Sequence, residues 1–194
     1  MKIDYRAISD PKLITLLSSP IRQELVDTLA ALGGEASVAA LALELGRHAD
    51  GLYYHLKLLC KGKLVTELDG DGDERRYQLA GQPSQPLRLA YKTDSERHIT
   101  ALRKFAHGLV QVAEKDFVTA LEAEGPVIEG PSRQLWAGRN KAWLSEAELK
   151  EANQLLERLC DLMSHPRTEE RNHLLSCTFV LAPHATQSKR RSGA

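Results

Sequence analysis

Ser37-Val-Ala-Ala-Leu-Ala-Leu-Glu-Leu-Gly46, Arg47-His-Ala-Asp50 and Gly51-Leu-Tyr-Tyr-His-Leu-Lys-Leu-Leu-Cys-Lys-Gly62 follow one another without a break. Ser37 suits a helix N-cap, because its hydroxyl can accept from an amide of the first turn. Val38, Leu41, Ala42 and Leu45 recur at helical spacing, and Gly46 stops the run. After the short turn, Leu52, Leu56 and Leu59 fall on one side of a second helix at about 100° per residue. Asp50, Tyr54, Lys57 and Lys61 fall on the other, and Tyr53, His55 and Cys60 sit on the flanks. Beyond Gly62, Val65-Thr-Glu-Leu68 alternates, Asp69-Gly-Asp-Gly72 reads as a turn, and Arg75-Arg-Tyr-Gln-Leu79 returns as the second strand of a hairpin.

Helix, tight turn, helix and two-stranded ribbon is the order of a winged helix-turn-helix, which sets one helix into the major groove of DNA. The outward face then has a use. Lysines meet phosphates or guanine edges, and tyrosine bonds or stacks against sugars and methyl groups. A merely solvated amphipathic helix shows the same pattern, so the helix before and the hairpin after carry the distinction. Arg75 and Arg76 are the hairpin's candidate phosphate contacts, or else a surface pair balancing Asp69, Asp71, Asp73 and Glu74.

Working toward the N-terminus, Asp10-Pro11 opens a short helix over 11–17 and Ser19-Pro20 opens the next. Ile21, Leu25, Val26, Leu29 and Leu32 form the inner face of that second helix, and Gly33-Gly34 ends it. Toward the C-terminus, Gly81-Gln-Pro-Ser-Gln-Pro86 has linker composition, and residues 81–92 separate the first domain from the second. Thr93-Asp-Ser-Glu96 reads as a capping box for a helix of about 30 residues running to Gly125-Pro126. Its seam is Ile99, Leu102, Ala106, Leu109 and Ala113, widened by Phe105, Val112 and Phe117. The seam's partner is a second copy or the chain's own N-terminal segment; a symmetric dimer matches repeated DNA half-sites, so a copy is the expectation.

Leu135–Trp143 alternates like a strand, Ser145-Glu-Ala-Glu148 is a second capping box, and Leu149, Ala152, Leu155, Leu156, Leu159 and Leu162 face inward on the helix that follows. Leu174-Leu-Ser-Cys-Thr-Phe-Val-Leu-Ala182 is apolar and β-prone. Strand, helix, strand predicts a small α/β layer. Residues 183–194 read as a disordered basic tail. The fold class expected is mainly α (α+β): a winged helix-turn-helix domain over 1–80, then a long dimerisation helix and a small helix/strand region within 93–182.

The chain has 194 residues, 42% hydrophobic and 27% charged, ordinary values for a folded protein. No run approaches the ~20 apolar residues of a membrane span, and the start lacks the apolar core of a signal peptide. Three widely spaced cysteines imply no disulfide framework, so a cytoplasmic setting is expected. Net charge is zero, and residues 1–80 carry ten Lys/Arg against twelve Asp/Glu. Between Arg47 and Lys63, however, Arg47, Lys57, Lys61 and Lys63 face one acid, Asp50. Phosphate attraction follows that local field, so salt-sensitive binding is expected.

Leu17-Ser-Ser-Pro-Ile-Arg-Gln-Glu-Leu25 resembles the Pro-x-Arg helix that opens ArsR-type winged-helix regulators. Gly51–Leu59 followed by Gly62-Lys-Leu-Val65 resembles that family's recognition helix and its exit into the wing. The resemblance covers about residues 10–80. Trp143-Leu-Ser-x-x-Glu148 and Phe179-Val-Leu-Ala-Pro183 are similar to tails appended to a subgroup. The resemblance implies a homodimeric regulator, read here as a repressor, that grips or releases double-stranded DNA when a signal such as a small-molecule effector changes. It places Asp50, Gly51, Tyr53, Tyr54 and Lys57 at the groove, and Ser37 at a helix N-terminus whose amides hold a phosphate. His55 matches a common family histidine, in a packed or a groove role. Residues 37–46 lack the paired cysteines of metal-sensing members.

Other chemistry is sparse. Asp69-x-Asp71-x-Asp73 opens like a calcium loop, but Glu74 and Ala80 stand where the loop needs glycine and glutamate. Cys160, His165, His173 and Cys177 match no standard metal-site spacing; apolar packing of both cysteines is the plainer reading. Cys60 beside Lys61 is either a redox thiol or a buried structural one. Trp136 and Trp143 line an effector pocket, or else belong to the core or dimer interface. With no phosphate loop, nucleophile elbow or zinc-protease motif, no cofactor or enzymatic activity is expected. The competing function is a winged-helix adaptor that binds proteins rather than DNA.

Overall fold

The computed structural model describes residues 5–68, 74–81, 87–93, 95–123 and 125–184. The fold is mixed α and β. It runs β1 (Arg6–Ile8), α1 (Pro11–Leu16), α2 (Pro20–Ala31), β2 (Glu35–Ser37), α3 (Val38–Leu45), α4 (Asp50–Lys61), β3 (Val65–Leu68), β4 (Arg76–Leu79), β5 (Leu87–Leu89), α5 (Glu96–Glu122) and α6 (Glu146–Met163).

Local rules account for most of the helix ends. Asp10 accepts from the Lys12 amide at 2.8 Å, and Pro11 occupies the first helical position of α1. Pro20 does the same for α2, although Ser19 makes no side-chain cap there. Ser37 Oγ accepts from the Ala40 amide at 3.2 Å, and Gly46 closes α3 in the left-handed region at φ 60°. α4 starts from Ala49 without a side-chain cap.

The core lies between these helices and a three-stranded antiparallel sheet of order β2-β4-β3. Ala36 stands opposite Tyr77, and Val65 opposite Leu79. Ile14, Leu25, Leu29, Leu41, Leu52, Leu56 and Leu59 are fully buried, joined by Leu64, Val65 and Tyr77. The inner faces expected of α2, α3 and α4 are therefore the ones that pack. β2 goes beyond the sequence reading: Ser37 both ends this strand, opposite Arg76, and caps α3.

Four expectations are corrected. Residues 87–89, assigned to the 81–92 linker, form β5, which pairs parallel with β1 through Arg6–Leu87 and Ile8–Leu89. α5 is capped at Ser95, without a side-chain bond, so Thr93 and Glu96 form no capping box. Glu96 is the first helical residue, too early in the helix to reach back to an N-cap amide. The third concerns the seam of α5. Its buried side is Ala101, Gly108 and Val112, with Leu102 and Phe105 packed on the core, and it faces this protomer's α1 and α2. Of the expected seam, Ala106 is exposed, while Ile99, Leu109 and Ala113 are half-buried beside Leu102.

The fourth correction concerns the C-terminal strands. Residues 135–143 and 174–182 form neither helix nor paired strand, so the expected α/β layer does not form within the chain. β-propensity alone makes no strand without a ladder partner. α6 does form. Ser145 Oγ accepts from the Glu148 amide at 3.3 Å, and Glu148 accepts from the Ser145 amide at 2.7 Å. Among the described residues no helix is long and apolar enough to cross a membrane. The Asp69–Gly72 turn, residues 82–86 and residues 185–194 of the expected tail lie outside the described residues.

Candidate functional site

The outward face of α4 is a consequence of its inward one. Leu52, Leu56 and Leu59 are anchored in the core, so positions half a turn away must project outward. Tyr54 is 66% exposed, and Asp50, Gly51, Tyr53, Lys57 and Lys61 are exposed with it. Among the described residues no carboxylate forms an ion pair with Lys57 or Lys61.

The arginines around this face behave differently. Arg47 Nη2 lies 3.1 Å from Glu24 Oε2, a carboxylate buried on α2. Arg75 lies 3.5 Å from Glu67 and 5.5 Å from the centre of the Tyr53 ring, so it ties β4's approach to the flank of α4. Arg76 donates to Glu35 at 2.9 Å across the β2–β4 pair. Each guanidinium is therefore partly neutralised at rest, and a phosphate would have to compete with a carboxylate to engage it.

Ser37 requires a correction. It is only 7% exposed, and its hydroxyl is used by Ala40. The Val38 amide donates to the Arg75 carbonyl at 3.1 Å. Two of the amides that open α3 are thus satisfied internally, which leaves fewer of them to meet a phosphate there than expected.

The tryptophans stand on the surface of the described chain rather than in its core. Trp136 is 70% exposed beneath the Arg133 guanidinium, at 3.4 Å, and Trp143 is 91% exposed. A shallow groove of about 500 Å³ runs between α1 and α5, bordered by Lys12, Thr15, Glu96, Arg97, Thr100 and Lys104. Among the described residues no three His, Cys, Asp or Glu side chains converge as metal ligands, and Cys177 is exposed rather than packed. Burial, and after it the Glu67 charge, raises the Cys60 thiol pKa, which opposes the reactive-thiol reading.

Three groups gain contacts that their spacing in sequence does not predict. Glu24 bonds Arg47 of the α3–α4 turn and also Lys115 of α5, so one buried carboxylate joins α2 to both. Arg22 donates through Nε to the Leu16 carbonyl at the end of α1. His55 Nδ1 is buried without a partner; burial first, then the Arg22 and Arg47 charges, lowers its pKa. The polar run Arg22-Gln23-Glu24, of which Gln23 and Glu24 are buried, is the signal that marks this junction. The arrangement as a whole offers a convex rod with a phenol and two ammonium groups, fixed from behind by leucines. Compared with known proteins, the chain matches no protein-family model and no curated protein.

Proposed function

We propose that the chain is a sequence-specific DNA-binding transcriptional regulator of ArsR-like, winged helix-turn-helix type, acting as a homodimeric repressor. The observation that carries this reading is the division of α4: Leu52, Leu56 and Leu59 are wholly buried, while Tyr54, Lys57 and Lys61 project from the opposite side. On this reading α4 enters the major groove and the β3–β4 hairpin rests on the flanking backbone. Two copies read a near-palindrome, and a signal acts by altering the spacing or angle of the two helices.

The test is binding of the full chain to genomic DNA fragments, followed over a salt series. Affinity should fall steeply with salt, Lys57→Ala should weaken binding to every sequence alike, and Tyr54→Ala should cost affinity and alter preference. Wild-type affinity in both variants would remove the reading. A second reading, a protein-binding adaptor, draws support from the carboxylates already paired with Arg47, Arg75 and Arg76. It predicts no salt-sensitive DNA binding.

A further inference from the structure

The C-terminal third of the chain carries more exposed apolar surface than a lone protomer normally shows. Fourteen of the twenty-one large hydrophobic side chains that stand exposed lie between Val127 and Leu181. At roughly half exposure each, they present on the order of 1,000 Å² of apolar surface, above the ~300–600 Å² of a typical monomer's largest patch. It also exceeds the ~800 Å² that each partner gives to a standard interface.

The pattern indicates what kind of surface this is. At the two-residue period of a strand, Leu175, Cys177, Phe179 and Leu181 of 174–182 would share one side, and Leu174, Ser176, Thr178, Val180 and Ala182 the other. Ser176 and Thr178 interrupt the second side, so one side is continuously apolar and the other mixed, the pattern of a strand that a covering layer buries on one face. No backbone hydrogen bond among the described residues joins 174–182 to 135–143 within the chain; the two arms meet at Lys141 Nζ and His184 Nε2, 2.9 Å apart. Leu149, Leu155 and Leu162 stand exposed along α6, which buries no residue.

Charge selects the occupant. α6 carries five acids (Glu146, Glu148, Glu151, Glu157, Asp161) against Lys150 and Arg158, a net of −3. Residues 125–144 carry Arg133, Arg139 and Lys141 against Glu129, a net of +2. The complement of each piece is thus present on a second copy of the same chain. An anionic membrane would be repelled by α6.

We propose that residues 126–182 form a dimerisation arm, in which 174–182 of one copy pairs as a β-strand with 135–143 of a second copy and the apolar stripe of α6 covers the sheet so formed. The pairing is reciprocal, so one two-fold axis satisfies both arms. The ladder supplies partners for backbone groups that the single chain leaves unpaired, and the α/β layer expected from the sequence is completed between copies. From the proposed function the inference takes only that the chain works as a pair.

The oligomeric state is measured on the full chain without DNA, so its outcome is independent of whether DNA is bound. Sedimentation equilibrium at micromolar concentration should give twice the 21.5 kDa chain mass. Leu155→Asp and Phe179→Asp should each return it to a monomer with unchanged helical circular dichroism. A second measurement avoids destabilising changes: Cys60→Ser and Cys160→Ser leave Cys177, and Gly138→Cys or Asn140→Cys supplies the residue opposite it when the two segments pair parallel or antiparallel. Mild oxidation should produce a covalent dimer for one of the two. A monomeric wild type, a dimer that survives both Asp substitutions, or a disulfide closed only within one chain would each overturn the proposal.

Discussion

Gly108 of α5 lies directly against the Ser18 carbonyl in the turn between α1 and α2. A Cβ at position 108 would stand 2.2 Å from that oxygen. The obstacle is backbone, which cannot rotate away as a side chain would. Gly108→Ala gains about 1 kcal/mol of helix propensity but forces α5 off α1 and α2. Overpacking of this kind costs roughly 1–3 kcal/mol, so a net loss is expected. Thermal unfolding should show a lower Tm than wild type. Gly51→Ala, where a Cβ meets open space, should leave Tm unchanged or slightly raised.

Glu24 is the one carboxylate in the described structure that joins three elements. It is 7% exposed and bonded to both Arg47 and Lys115. Glu24→Ala removes the shared partner of both cations, yet the two remain accessible enough to hydrate. The cost is therefore expected at about 1–2 kcal/mol, below the ~3–5 kcal/mol of a fully buried broken pair. Denaturant unfolding checks the magnitude. A double-mutant cycle with Lys115→Ala should give a coupling of the same sign.

Asp27 sits one turn of α2 from Glu24. Asp27 is exposed at the surface yet closely surrounded, and desolvation by those surroundings, then the Asp116 and Glu24 charges, raises its pKa from 3.8 to about 6. The folded chain thus holds this proton more tightly than the unfolded chain does. Above about pH 6 both states are ionised and the folded state bears the full penalty; below about pH 4 both are protonated and the penalty is gone. Asp27→Asn should stabilise the protein at pH 7 and make no difference in acid. Because one flank of Asp27 is open to water, the gain is expected at no more than about 1 kcal/mol. Unfolding at the two pH values measures it.

His55 works in the opposite direction. Its pKa lies below 6.5, through burial and then the Arg22 and Arg47 charges. As pH falls below 6.5, the unfolded chain takes up a proton that the folded chain resists, so this residue withdraws stability. His55→Gln should flatten the acid side of the stability profile. Steeper acid sensitivity in the variant would contradict the assignment.

Ser145 anchors α6 by reciprocal bonds with Glu148, and those bonds lower the Glu148 pKa. Ser145→Ala should cost about 1 kcal/mol of local helix stability. α6 buries no residue, so the loss should appear as faster amide exchange in its first turn and barely in global Tm.

Much of residues 11–79 was legible because the determinants are close together in the chain. Pro11 and Pro20 begin helices, Gly46 ends one, and Leu52, Leu56 and Leu59 repeat at the period that defines the hidden and the presented sides of α4. The Ser145 box acts over three residues and was equally plain. The presented residues of α4 follow from the same period, which is why Tyr54, Lys57 and Lys61 stand where their spacing predicts.

Tertiary structure decided what depends on partners far apart in sequence. The stripe of α5 is broad enough to pack in several rotations; the approach at Gly108 and Ser18 selects the one facing α1 and α2. β5 exists because β1, some 80 positions earlier, lies beside it. Glu24 finds its two cations only once α2, the α3–α4 turn and α5 converge. Segments 135–143 and 174–182 have strand composition and no ladder in one chain, because a strand, unlike a helix, cannot satisfy its own backbone.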